Sequence, residues 1–208
     1  MEVLLGDVVV GGSVRFDCTG QFKNEPWHNA SFTPSPLPPG TLTAITPALL
    51  KVNASRVPNS RSTPRIFHAP TDAIVTTDIF AFDDSTDHYK LEGLGRVCEM
   101  GDAMVAKALE GIPGLSWHAI RNASDPQIPN PENDIEKADQ QAAQIYAKYG
   151  GLTSAASVIA TWAVIHSAIA PQPATSRNKS EAKPGRLSPV RDPRGATHVE
   201  PSFSARKR

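Results

Sequence analysis

Apolar residues along this chain fall into short unbroken runs and into helical spacings, separated by clusters of Gly, Pro and Asp. Val3 to Val10 is an almost continuous apolar run, interrupted only by Gly6-Asp7 and followed by Gly11-Gly12. Such a run predicts a strand buried on both faces, not one with a wet side. Val14-Arg15-Phe16 predicts a second short strand. A strand buried on both faces needs cover on each face and a partner on each edge. Either the rest of the chain wraps around it or a preceding segment supplies both, and the pattern favours the second, an N-terminally truncated domain.

Gln21 to Gly40 reads as loop, because Pro26, Pro34, Pro36, Pro38 and Pro39 exclude regular ladders. Its Trp27, His28 and Phe32 either pin the loop to the core or make it a lid over a ligand. Thr41 to Val52 predicts a short helix containing Pro47, and Asn53 to Pro64 a polar, basic surface connection. Arg65-Ile66-Phe67 and Ala73 to Thr77 are the next strands. The second leads into Thr77-Asp78-Ile79-Phe80-Ala81-Phe82-Asp83-Asp84, dense in aromatics and carboxylates.

Val97 to Gln127 is the most informative stretch. Val97-Cys98 predicts a buried strand and Glu99-Met100-Gly101-Asp102 a strand-to-helix turn. A helix follows with Ala103, Val105, Ala106 and Leu109 as its apolar positions, closed by Gly111 and Pro113. Leu115 to Ile120 predicts a second strand, which runs out into Arg121-Asn122-Ala123-Ser124-Asp125-Pro126. A strand-helix-strand unit of this kind brings two acid-bearing turns to one crevice at the carboxyl ends of its strands. Beyond it, a helix capped by Asn133 or Asp134 carries Ile135, Ala138, Ala142, Ile145, Tyr146 and Tyr149 on one face and ends at Gly150-Gly151. Thr153 to Ile169 predicts a second helix, apolar nearly all round and so buried. It reads as too short and too interrupted, by Thr161 and His166, to span a bilayer.

Composition narrows the function classes. The 208 residues suffice for one domain, placed at 1–170, with a Pro/Ser/Arg-rich tail at 171–208 that lacks periodicity and reads as disordered. That tail holds nine Lys/Arg against three Asp/Glu, leaving twelve against eighteen before it. With a formal net charge of +0 nothing global points to nucleic acid or to a membrane. Two cysteines, Cys18 and Cys98, are too few for a disulfide framework and read as buried thiols. No N-terminal signal pattern is present, so the expected compartment is the reducing cytoplasm. The Asn-Ala-Ser sequons at Asn29, Asn53 and Asn122 are then chance matches.

On spacing alone the candidate chemistry stays open. Phe80 and Phe82 could plug the bottom of the sheet, and Ser124-Asp125-Pro126 could be an ordinary strand-ending turn. Asp83, Asp84 and Asp87 with His88 read as a solvated acidic loop, and no metal is expected.

Taken together, however, Glu99-Met100 before an Ala-rich helix and Ser124-Asp125 after the next strand resemble the nucleoside phosphorylase and nucleosidase superfamily, which includes purine nucleoside phosphorylases and methylthioadenosine/adenosylhomocysteine nucleosidases. Leu5-Gly6-Asp7-Val8-Val9-Val10 resembles its GD-V-V strand, Val75-Thr76-Thr77-Asp78-Ile79-Phe80 its strand into the base-binding loop, and the helix around Trp162 its closing helix. The resemblance implies an α/β fold of three layers, a central mixed sheet flanked by helices. It implies cleavage of the N-glycosidic bond of purine-type nucleosides, which needs a carboxyl beside the leaving base to protonate it.

Asp125 is the expected acid, on a turn where partial burial would raise its pKa, with Ser124 and Arg121 orienting that turn. Phe80 would pack against the base, Met100 under the ribose with Glu99 as its buried neighbour. The ligand implied is a small-molecule nucleoside, with phosphate as a candidate co-substrate and no cofactor, and the full fold implies a homo-oligomer. Two departures stand out. Many members follow the Met with a Glu that holds the ribose hydroxyls, where this chain has Gly101 and then Asp102, which could reach the sugar or cap the helix. The family's phosphate- and water-handling turns lie largely before the GD-V-V strand. A nucleoside-binding or assembly module without catalysis is therefore the alternative expectation.

Overall fold

The computed structural model describes residues 2–16, 21–22, 25–26, 28–77, 91, 93–125 and 134–170. The chain is an α/β protein. In order it forms β1 (Val8–Val10), β2 (Ser13–Phe16), β3 (Gln21–Phe22), β4 (Glu25–Pro26), β5 (Ala30–Phe32), α1 (Thr41–Leu49), β6 (Ile66–Phe67), β7 (Ala73–Thr76), β8 (Val97–Glu99), α2 (Asp102–Leu109), β9 (Ile120–Asn122) and α3 (Ile135–Ile169). The proline-rich stretch read as loop thus contributes three short strands. β3 and β4 pair with each other, antiparallel, and β5 joins a four-stranded sheet.

Two mixed sheets are built on one passage of chain. β1 lies between β6, parallel, and β9, antiparallel, with Val8 opposite Ile66 and Asn122 and Val9 opposite Phe67 and Arg121. β2 lies between β5, antiparallel, and β7, parallel, and β7 pairs in turn with β8, also parallel. The chain crosses from one sheet to the other at Gly11-Gly12. A Cβ at Gly12 would stand 2.5 Å from the Ala69 carbonyl oxygen, so only glycine fits beneath the link between β6 and β7. The Gly12 N–H donates to Asp72 O at 2.7 Å, which fixes that crossing.

β1 is buried on both faces, as its valines required. Val8 and Val10 pack with Ile45 and Leu49 of α1 and with Ala156, Ala160 and Ala163 of α3. Val9 faces the other way, into a core with Val14, Phe16, Phe32, Phe67, Ile74 and the α2 residues Ala103 and Ala106. Later chain thus packs on both faces of the strand and pairs with both its edges. The segment 53–64, read as surface, puts Ala54 and Val57 into a third cluster with Leu5, against which Ile145 and Tyr149 pack. Asp7, fully buried at the entrance to β1, accepts the N–H groups of Leu4 and Arg65, at 2.9 and 2.8 Å, which ties the start of β6 to β1.

The largest departure from the sequence reading is α3. Its N-cap is Asp134, whose carboxylate accepts the Lys137 N–H at 3.0 Å; Asn133 lies outside the described residues. The helix then runs 35 residues without a stop at Gly150-Gly151. Two mid-helix glycines cost about 1 kcal/mol each, yet neither breaks the hydrogen-bond ladder as proline would. Docking holds both sides of the pair. Ala138 and Ala142 are buried ahead of it, Ala156, Ala160 and Ala163 after it, and the Thr153 hydroxyl donates to the Gly150 carbonyl at 3.1 Å.

The second half is not buried all round. Val158, Trp162, Ile165 and Ile169 form an exposed stripe, Trp162 being 66% and Ile169 76% accessible. As one helix, Glu136–Ile169 is long and apolar enough to cross a membrane by length and composition, with 33% of its most apolar window buried within the protein. The expectation of a segment too short to span therefore does not hold.

Candidate functional site

β8 ends at Glu99, opposite Thr76 of β7, and the chain turns through Met100 and Gly101 into α2. The first N–H groups of a helix lack partners of their own, and here the preceding strand supplies them. The Glu99 carboxylate accepts the Gly101 N–H at 2.6 Å and the Asp102 N–H at 2.8 Å. The Thr76 hydroxyl donates to Glu99 and accepts the Ala103 N–H at 2.8 Å. Glu99 therefore caps α2 from outside the helix, a part the sequence reading had offered to Asp102.

Asp102 is taken up elsewhere. Arg121, on β9, donates from Nε to Asp102 Oδ2 at 2.9 Å and from Nη2 to Asp102 Oδ1, and the same Nη2 reaches Glu99 Oε2 at 3.3 Å. A two-pronged fork of this kind fixes orientation as well as distance. The hydrogen bonds that Arg121 donates to Asp102 are the main cause that pushes its guanidinium above its ordinary range; partial burial opposes it, and the charges of Asp102 and Glu99 add to it. Formally two carboxylates face one guanidinium. The surplus negative charge lies at the N-terminus of α2, where the helix dipole favours it.

The structure thus brings Glu99, Asp102 and Arg121 into direct contact, with Met100 39% exposed beside them. Ser124 and Asp125 stand apart from this cluster. The Ser124 hydroxyl donates to Asp125 Oδ2 at 2.7 Å. Asp125 is exposed, so the desolvation expected at its carboxyl is not supplied by the folded chain. The Arg121 side chain bonds to the start of α2. Ser124 lies three residue steps beyond Arg121, a reach of at most roughly 10 Å. Phe80, Phe82, Asp83, Asp84, Asp87 and His88 lie outside the described residues, as do Trp27, Cys18 and the tail from 171. Cys98, read as a buried thiol, is exposed.

Among the described residues, the two acid-bearing turns do not follow adjacent strands of one sheet. β8 and β9 belong to different sheets, and β9 runs antiparallel to β1. Its end therefore meets the start of β1, where Gly6 N–H donates to Ala123 O at 2.8 Å. β9 itself begins at Ile120, where the predicted strand was to end. Residues 115–119 bond elsewhere: Ser35 N–H donates to Trp117 O and Gly11 N–H to Ala119 O, each at 2.9 Å. Arg121 is what links the two motif strands.

Two residues escaped the sequence reading. Thr76 holds Glu99 and α2 together, but a buried threonine in a strand carries no signal of that in its spacing. His118, partly buried, is held below the ordinary histidine range by desolvation, against a backbone hydrogen bond at Ser35 that works the other way.

No protein-family model matches the chain, and no curated protein does. A crystal structure of 5'-methylthioadenosine/S-adenosylhomocysteine nucleosidase from Helicobacter pylori, with butyl-thio-DADMe-Immucillin-A, is similar at 15% identity and a TM-score of 0.45. The match covers 79% of this chain but only 62% of that one, less than two thirds of its length. A likeness of that size fixes neither fold family nor function.

Proposed function

We propose that this chain binds purine-type nucleosides and cleaves their N-glycosidic bond, with the Asp125 carboxyl as the acid at the departing base. The observation that carries the reading is the Arg121 fork. It joins the Glu99-Met100-Gly101-Asp102 turn, side chain to side chain, to the strand that ends in Ser124-Asp125. Those are the two stretches whose residues resemble the phosphorylase and nucleosidase superfamily. On this reading the two mixed sheets and their helices are the C-terminal portion of its three-layer fold.

When the bond between the sugar C1′ and the base nitrogen breaks, its electron pair leaves with the base. Protonation of a ring nitrogen by Asp125 makes that departure easier, and water or phosphate captures the electron-poor sugar carbon. Because Asp125 is exposed in the free protein, a base stacked over it would provide the desolvation that makes the carboxyl a better proton carrier. Phe80 is the proposed packing surface for the base and Met100 for the sugar. The N–H groups opening α2 are taken by Glu99 and Thr76, so a phosphate co-substrate would be held elsewhere.

A second reading keeps the pocket without the chemistry. It is favoured by the engagement of Asp102 with Arg121, which already ties both Asp102 oxygens to the fork. Base release from inosine, adenosine and methylthioadenosine, with and without phosphate, decides between them, with Asp125→Asn run alongside. Release lost in the variant supports Asp125 as the acid, and the phosphate requirement separates phosphorolysis from hydrolysis. Nucleoside binding without release supports the second reading; neither binding nor release refutes both.

A further inference from the structure

The stretch that carries α1 and β6 is set apart by its charge. Residues 26–71 hold four Lys/Arg (Lys51, Arg56, Arg61 and Arg65) and no Asp or Glu, in a chain whose first 170 residues carry eighteen acids against twelve bases. This stretch builds a cleft of about 290 Å³ between α1 and residues 63–68, at the small end of the range for ligand clefts. Leu42, Leu49 and Leu50 line it on the helix side, Pro64 and Ile66 on the strand side. Arg65 and His68 also border it, and among the described residues no carboxylate does. Leu50 is 69% accessible there. The same cleft exposes the margin of a sheet. Among the described residues β6 has β1 on one side and no strand on the other. The Val8 N–H donates to Arg65 O at 2.8 Å, and Val8 stands opposite Ile66. In such a ladder the N–H and carbonyl of Ile66 itself point away from β1, toward the open edge.

We infer that this cleft is a docking site for an extended acidic peptide, which adds as a strand to the edge of β6. The outward N–H and carbonyl of Ile66 exchange two main-chain hydrogen bonds with one peptide residue, as in an antiparallel pair. Side chains of the added strand alternate between the two faces of the sheet. On one face stands α1, whose Leu42 and Leu49 pack in the same cluster as Val8 and Ile66, so peptide side chains there are apolar. Arg65 directly precedes Ile66 and falls on the other face, where a carboxylate suits it. The pattern recognised is therefore leucine or valine alternating with glutamate or aspartate. A surround without acids attracts such a peptide and turns away a basic one. A small amphipathic anion would use the leucines but leave the Ile66 pair unbonded.

The test is fluorescence polarisation of the full chain with a labelled peptide in which leucine alternates with glutamate. Saturable binding is expected, with a Kd of about 100 μM or tighter. Replacing the glutamates by lysines, or methylating the peptide nitrogens that would face Ile66, should each weaken it at least about tenfold. Leu50→Glu, at an exposed position, should weaken it to a similar degree in a chain whose fold circular dichroism confirms. No saturation by about 1 mM peptide would overturn the inference. Equal affinity for the lysine or the methylated peptide would overturn it as well, and so would unchanged binding by folded Leu50→Glu. Octanoate that displaces the peptide at comparable concentration would give the cleft to small amphipathic anions instead. The peptide comparisons need only the parent chain, so they decide the matter whether or not the variant folds.

Discussion

Removing the Glu99 side chain should cost far more than removing the carboxylate of its neighbour Asp102, although both pair with the same arginine. In Glu99→Ala the N–H groups of Gly101 and Asp102 lose their acceptor, and so does the Thr76 hydroxyl, at a place where the Glu99 side chain is only 10% exposed. Loss of a helix cap costs about 1 kcal/mol, and loss of a hydrogen bond to a charged group about 1.5–3 kcal/mol. Together they give about 3 kcal/mol. Asp102→Asn instead weakens an ion pair whose arginine side chain is 45% exposed, an arrangement worth about 1 kcal/mol or less once solvent screening is allowed for. Urea unfolding followed by circular dichroism measures both. With a slope of about 2 kcal/mol/M, the alanine variant should unfold about 1.5 M earlier and the asparagine variant no more than about 0.5 M earlier. Equal shifts, or a larger one for Asp102→Asn, would mean that Glu99 does not cap α2 and that the ion pair carries the turn.

Three further outcomes are expected. Gly12→Ala should lower stability by at least about 3 kcal/mol or prevent folding, since its Cβ would fall 2.5 Å from the Ala69 carbonyl oxygen; a soluble variant with parental melting would show that the crossing has room. His118 sits below the ordinary histidine range in the folded state, so as pH falls the unfolded chain takes up that proton first. Its contribution is complete above about pH 6.5 and is lost as pH drops toward the lowered folded value; a His118→Asn variant should flatten that part of the curve, and unchanged pH dependence would refute it. Val158→Ser and Ile165→Ser, on the exposed stripe of α3, should each change stability by less than about 0.5 kcal/mol, and a loss of several kcal/mol would mean that the stripe is covered.

Much of the fold could be read from local pattern. The valine run of β1, the Pro-bearing α1, the pairs at β6 and β7, and the strand-turn-helix from Val97 to Leu109 lie where the spacing put them. Misreadings arose where distant chain decided the outcome. Gly150-Gly151 looks like a stop by propensity, but packing on either side outweighs the loss. Val105 fits the apolar spacing of α2 yet is 57% exposed, because that helix buries only its alanine face. The assignment of β8 and β9 to different sheets follows from the antiparallel register of β9 with β1, some 110 residues away in sequence. Of the candidate site, the residue types at Glu99, Asp102 and Arg121 were legible. That Arg121 would clamp the other two was not, since no spacing rule links a strand residue to a helix terminus in another layer.

β1 also sets a timetable for synthesis. Its edge partners arrive at Ile66 and at Ile120, and the alanines that cover Val8 and Val10 end at Ala163. A ribosome adding 5–20 residues per second needs roughly 8–30 s to travel from Val8 to Ala163. Throughout that interval three consecutive valines, fully cohesive only in the finished molecule, emerge ahead of everything that will enclose them. The nascent chain is therefore most vulnerable to self-association before its last helix is made, and chaperone capture of stalled intermediates should fall off once the stall point passes the codons of α3.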